Sequence, residues 1–230
     1  MAVSVDTVYK TVLLILNKEQ RGYMTPDEFN KTGNQVQLEI YLKYFEDLNQ
    51  LLRVPQADLD YASRVALLDE KISIFKTSNI VNPSANGFEL PSDLQELGTV
   101  VYNNIEIERV QRSEYYNLLK SDLTIPSETY PIYLYENGYI KVQPSSIISN
   151  VTANYLRAPV SVVWGFTVGN LGNYIYDSSP SASTNFELHA SEQTELILRI
   201  LEYAGVIIRD TQVIQIAAQK VQQDNINEKQ

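Results

Sequence analysis

Asn137-Gly138 lies between Ile132-Tyr133-Leu134-Tyr135 and Tyr139-Ile140-Lys141-Val142, and it constrains this chain more than any other dipeptide. A two-residue hairpin loop takes type I′ geometry, which needs φ > 0 at both central positions, and Asn-Gly meets that need at the least steric cost. Folding there pairs Tyr135 with Ile140 and Tyr133 with Val142. Those four share one face, with Lys141 and Gln143 on the other. The alternation predicts a half-buried antiparallel sheet in the middle of the chain.

The same texture extends on both sides. From Lys71 to about Asn173, short β-branched and aromatic runs alternate with Pro, Asn, Gly and Ser clusters. It predicts strands over 72–76, 87–90, 99–102, 106–110, 132–135, 139–143, 151–157 and 165–168. A short helix over 113–121, capped by Ser113, interrupts them. The Gly-spaced run from Gly165 to Asn173 lacks the helix that follows a phosphate loop, so it reads as a turn or exposed loop between strands.

Both ends of the chain switch to a 3.6-residue period. Val5, Val8, Tyr9, Val12 and Leu16 make one stripe, predicting a helix over 3–19. The N-terminal apolar stretch lacks a basic leader and a cleavage site, so it reads as a helix and not as a secretion signal. Thr25-Pro26-Asp27-Glu28 is a helix start: Thr25 caps, Pro26 takes the first helical position, and Glu28 completes a capping box. That helix should run to about Arg53, stopped by Pro55. It carries two apolar stripes, Leu38/Tyr41/Leu42/Phe45/Leu48/Leu52 and Ile40/Tyr44/Leu51. One wet face needs only one stripe, so the second implies packing on more than one side, in its own core or against a neighbour. Gly33 marks a kink or the close approach of another backbone.

A short helix is expected over 58–69. Near the other end, Ser191 caps a run through Ile208, and Asp210 caps a last helix with Val213, Ala217 and Val221 at i, i+4, i+8. The fold class is α+β: N-terminal helices, a central antiparallel β-rich region and C-terminal helices. The expected boundaries are 1–70, 71–185 and 186–230, or one cooperative domain over 1–230.

Composition narrows the function. No apolar run reaches the roughly 18 residues of a membrane span, so no membrane partner is expected. With no cysteine, disulfides, thiolate metal sites and thiol nucleophiles are excluded. The net charge of −10 argues against gripping nucleic acid, which needs clustered Lys and Arg. Lys10, Lys18 and Arg21 read as a solvated helix face. The 16 tyrosines exceed every other aromatic and suit surfaces that assembly covers.

No catalytic constellation emerges. His189 is the only histidine and stands just before a helix, as a capping or packing residue would. The close acidic pairs Asp58/Asp60 and Glu106/Glu108 are the only hint of a metal-dependent nuclease, which needs carboxylates converging from several elements. The expectation is a non-enzyme with no catalytic residue, cofactor or metal.

Three stretches carry a resemblance. The first is Arg21-Gly22-Tyr23-Met24-Thr25-Pro26-Asp27-Glu28-Phe29-Asn30, running into Asn34-Gln35-Val36-Gln37-Leu38-Glu39-Ile40. The second runs through Phe88-Glu89-Leu90-Pro91-Ser92-Asp93-Leu94, Ile107-Glu108-Arg109-Val110 and Tyr130-Pro131-Ile132-Tyr133, and ends in Val151-Thr152-Ala153-Asn154-Tyr155-Leu156-Arg157-Ala158-Pro159. The third is Phe186-Glu187-Leu188-His189-Ala190-Ser191-Glu192, followed by the Ile200–Gly205 helix and the Gln-rich tail. Together they cover most of the chain. In pattern and order they resemble the neck proteins of tailed bacteriophages, most of all the ring-forming head-to-tail connectors of crAss-like and related podoviruses.

The resemblance implies a virion structural protein, assembled from the host cytoplasm into a closed ring of twelve-fold order between portal and tail. Its partners would be copies of itself, the portal protein and neighbouring neck or tail ring proteins. Genomic DNA would pass through the lumen without specific binding. Another tail or capsid accessory role is the alternative within the virion. A ring needs a heterologous interface, one patch meeting a different patch on the next copy. Twelve copies at −10 each carry about −120, and an acidic lumen lets phosphate slide. Tyr41, Phe45, Val213 and Ala217 are the expected subunit contacts, with the last helix docking into a neighbour's groove.

Overall fold

The computed structural model describes residues 3–18, 23–53, 59–170, 172–179, 181–207, 219–220 and 222–223. The architecture is α+β, with helices at the N-terminal side, a central eight-stranded sheet and a C-terminal helix. The residues group into two compact units, 1–74 with 159–230, and 75–158. Segment 159–185, β-like in sequence, therefore groups with the helical ends and not with the sheet.

The helical unit contains α1 (Val5–Lys18), α2 (Pro26–Arg53), α3 (Leu59–Ser73) and α5 (Gln193–Ile207). The α1 stripe is as expected: Val5, Val8, Tyr9, Val12 and Leu16 are all buried. The capping box of α2 is formed. The Thr25 amide donates to the Glu28 carboxylate at 2.8 Å, and the Glu28 amide reaches the Thr25 hydroxyl at 3.4 Å. α3 packs on α2, and α5 packs on both α1 and α2. Gly33 lies against an aromatic ring: a Cβ there would sit 3.3 Å from Phe186. The stop at Pro55 and the helix start at Asp58 lie outside the described residues.

Two expected caps are corrected. The C-terminal run is entered through a one-turn 3-10 helix, Ala190–Glu192, and its cap is His189, whose ring accepts from the Ser191 amide. Ser191 is inside the turn. The short helix α4 (Arg112–Leu118) starts one residue before Ser113, with Gln111 at the cap position making no side-chain cap bond.

The second unit is a sheet that curls toward a barrel. Its strands are β1 (Lys76–Ile80), β2 (Asn82–Ser84), β3 (Gly87–Glu89), β4 (Leu94–Tyr102), β5 (Ile105–Arg109), β6 (Ile132–Glu136), β7 (Tyr139–Gln143) and β8 (Val151–Arg157). The strand order is β1-β8-β4-β5-β6-β7-β3-β2. Its two ends are consecutive pieces of chain separated only by Val81, so one bent segment pairs with β8 on one side and β3 on the other. Closure of this kind removes open edges. Val100, Ile107, Tyr133, Ile140, Val151 and Tyr155 belong to the core inside.

The expected strand at 72–76 is displaced, because α3 continues through Ser73 and pairing begins at Lys76. β2 is an addition. The Asn137-Gly138 hairpin is as expected, with φ of 49° and 79° and the pairs Tyr135–Ile140 and Tyr133–Val142. Two features depart from a half-buried antiparallel sheet. β5 and β6 run parallel, joined by a connection through α4 long enough to return the chain. α4 also covers the second face of β6, burying Ile132 and Leu134 against Tyr115.

Candidate functional site

Of the four expected subunit contacts, the side chains of Tyr41 and Phe45 are described. Tyr41 has 0% exposure and packs edge-on against Phe45, which is half-buried, so Tyr41 has no surface to offer a neighbour. Both stripes of α2 contribute to its buried face: Val36, Ile40 and Tyr44 face inward with Tyr41, while Leu38 and Leu42 are exposed. Val213 and Ala217, with the Asp210 cap, lie outside the described residues. The tyrosine excess is partly a core feature, since Tyr9, Tyr41, Tyr44, Tyr115, Tyr133 and Tyr155 are buried. Some of these hydroxyls reach polar partners: Tyr9 donates to the Met24 carbonyl at 2.9 Å and Tyr155 to Asp93 at 3.0 Å.

The face of α2 adjoining this apolar stripe does a different job. Asn30 and Asn34 are one turn apart, and Gln37 continues the row. Each asparagine amide takes both main-chain groups of one residue in the extended segment 160–164, as a neighbouring strand would. The Trp164 amide donates to Asn30 at 2.7 Å, and Asn30 donates back to the Trp164 carbonyl at 3.4 Å. The Val162 amide donates to Asn34 at 2.6 Å, and Asn34 donates to the Val162 carbonyl at 2.9 Å. Gln37 donates to the Val160 carbonyl at 2.8 Å and accepts from the Glu187 amide at 3.0 Å. Main-chain groups left unpaired in a protein interior are costly, and this ladder satisfies them without a sheet.

The clamped segment continues into a separate two-stranded sheet, β9 (Phe166–Val168) and β10 (Tyr174–Tyr176). Trp164 anchors it. The indole lies 4.4 Å from the buried Tyr9 ring, stacks on Phe166 and Tyr176 at 6.0 and 5.5 Å, and donates to Asp6 at 3.2 Å. Phe166 then meets Tyr174 edge-on at 4.9 Å. An aromatic row thus runs from the core onto the surface. Beyond Trp164 it is open: Phe166 is 39%, Val168 64%, Tyr174 39% and Ile175 49% exposed. The expected turn between strands at 165–173 is this hairpin, and β10 is the strand the sequence reading missed. The available signal was charge: residues 158–176 contain no Asp, Glu, Lys or Arg, in a chain that is 20% charged.

A further group of exposed apolar side chains falls on the sheet unit's loops. Leu123, Ile125, Tyr130 and Ile148 are exposed on two loops tied by a 2.8 Å bond from Ser146 to Glu128.

Charged groups are gathered between α2 and α5. Glu195 accepts from Lys43 at 3.2 Å and from Arg199 at 2.8 Å, and Tyr203 donates to Glu39. Burial pushes the Glu195 carboxyl up, but Lys43 and Arg199 outweigh it and hold it below its ordinary value. Tyr203 is pushed up to about 12 by its bond to Glu39 and then by burial. These groups already satisfy one another, which makes them struts between helices.

Glu106 and Glu108 are both exposed on β5, Asp58 lies outside the described residues, and only the backbone of Asp60 is described. Among the described residues no group of three or more His, Asp and Glu side chains could hold a metal ion. Lys10 bonds to Asp6 at 2.6 Å on an exposed helix face. Among the described residues no helix is long and apolar enough to cross a membrane. No family model matches the chain, and no curated protein matches it.

Proposed function

We propose that the chain is a non-enzymatic structural protein of a tailed-phage virion, forming a closed ring in the neck between portal and tail. The observation that carries this reading is the uncharged, exposed aromatic hairpin, clamped to α2 by three amides, in a chain of net charge −10. An exposed apolar patch on an otherwise charged surface marks an interaction site. The rigid clamp supports an assembly role, because a presented element loses less entropy on docking than a floppy one. Exposed Leu38 and Leu42 on α2 add a second apolar surface, available to a neighbouring protein of the neck. The resemblance of three stretches to head-to-tail connectors supplies the location.

In this role the acidic surface faces passing DNA and repels phosphate over a screening length of about 8 Å. The portal and adjoining ring proteins are the proposed neighbours above and below. The test is a gold-labelled tag on the chain in purified particles. Label confined to the tail-bearing vertex is expected; label spread over the capsid, or none, overturns the reading.

A further inference from the structure

We propose that the β9–β10 hairpin is the contact by which copies of this chain join, with the outer edge of β10 on one copy adding to the outer edge of β9 on the next. The inference deepens the ring reading and rests on it only for closure of the oligomer.

Main-chain geometry carries the argument. The Gly169 amide donates to the Asn173 carbonyl at 2.8 Å, and the Asp177 amide donates to the Gly165 carbonyl at 3.0 Å. Hydrogen-bonded and non-bonded pairs alternate in an antiparallel ladder, so Thr167–Ile175 is the bonded pair between them. The main-chain N–H and C=O groups of Phe166 and Val168 therefore point outward from β9, and those of Tyr174 and Tyr176 outward from β10. Among the described residues neither outer edge pairs with another strand. A two-stranded sheet of this length is marginal alone and gains stability from further strands.

The edges are short, three residues each, but lack the side chains that block pairing. Proteins guard exposed strands with lysine, proline or inward-pointing charges. None occurs between Phe166 and Tyr176. A second copy is the occupant this favours. Two chains of −10 repel wherever their charged faces meet, and the hairpin offers an uncharged place of contact. The two edges differ, so β10-to-β9 pairing is heterologous by construction and propagates by rotation. Rotation about an axis along the strands keeps each β10 antiparallel to the next β9. The face bearing Phe166, Val168, Tyr174 and Tyr176 then continues from copy to copy.

The absence of cysteine gives a clean test. Full-length Val168→Cys and Tyr174→Cys chains are purified separately, mixed, oxidised and compared with each alone, alongside native mass spectrometry. Disulfide-linked dimers in the mixture, and in neither variant alone, are expected, because facing positions in such a ladder come within disulfide reach. Dimers in one variant alone mean a symmetric contact and overturn the proposal. So does a preparation that stays monomeric. An oligomer without cross-links overturns the hairpin contact and leaves the ring reading standing. Cross-links from a chain that particles lack support the contact and fell the neck reading.

A second variant is independent of cysteine chemistry. Val168→Lys alters a side chain 64% exposed, so the thermal midpoint should hold while the concentration needed for assembly rises by roughly tenfold or more. Leu14→Lys, at a site 55% exposed on α1, should leave assembly unchanged. Wild-type assembly by Val168→Lys overturns the proposal.

Discussion

Two hairpins in this molecule start from the same local chemistry and end differently. β6–β7 turns on Asn137-Gly138 and has both outer edges paired, β6 with β5 and β7 with β3. Its side chains Tyr133, Ile140 and Val142 are buried. β9–β10 alternates in the same way but has no strand on either side among the described residues, and its side chains are open. A hairpin's fate is set less by its own sequence than by whether the chain supplies neighbours for its edges. In one case it does. In the other, the chain supplies an anchor at the base, and among the described residues no strand lies on either edge.

The contrast can be broken by substitution. Ile140→Ala, at a fully buried site, should cost about 3 kcal/mol in chemical denaturation. The matching change in the open hairpin, Val168→Ala, should fall within about 0.5 kcal/mol. Equal losses would mean that the two hairpins are equally integrated in the folded chain. Asn34→Ala removes both partners of Val162 and should cost about 2 kcal/mol. Its amide exchange should quicken at Val162 and along β9, and not in β6 or β7. Protection unchanged along β9 would show that the clamp does not hold the hairpin.

Smaller effects sharpen the picture. Gly138 has φ of 79°, so Gly138→Ala should cost about 1 kcal/mol by strain at the turn. Tyr203→Phe removes the bond to Glu39 for about 1 kcal/mol near neutral pH. The folded phenol ionises at about 12, above the ordinary 10.0, so its contribution is complete below pH 10 and is lost as pH rises toward 12. An absorbance titration of wild type against Tyr203→Phe should show one late-ionising phenol missing. Glu195 behaves in the opposite sense. Its carboxyl is held down, so its contribution is present above the ordinary carboxylate range and falls away on acidification.

Local signals were legible where local physics decides. Thr25 and Glu28 form their box, Asn137-Gly138 turns as expected, and the α1 stripe is the buried one. Tertiary context decided the rest. On α2 the buried face cuts across the two stripes, taking Ile40 and Tyr44 from one and Tyr41 from the other, because where α1, α3 and α5 pack decides it; Leu38 and Leu42 are left at the surface. Ser113 and Ser191 had the chemistry of caps, but the helices began at neighbouring residues. The parallel step from β5 to β6 is non-local and leaves no periodic trace. The amide clamp pairs Asn34 with a segment 128 residues away, and neither end announces the other.

The most direct measurement of the proposed role is an asymmetric cryo-electron reconstruction of the portal vertex of tailed-phage particles carrying this chain. The account predicts a closed ring of this subunit between portal and tail, with β9–β10 hairpins of adjacent copies side by side in one continuous sheet. A vertex whose rings are all built from other chains would contradict it.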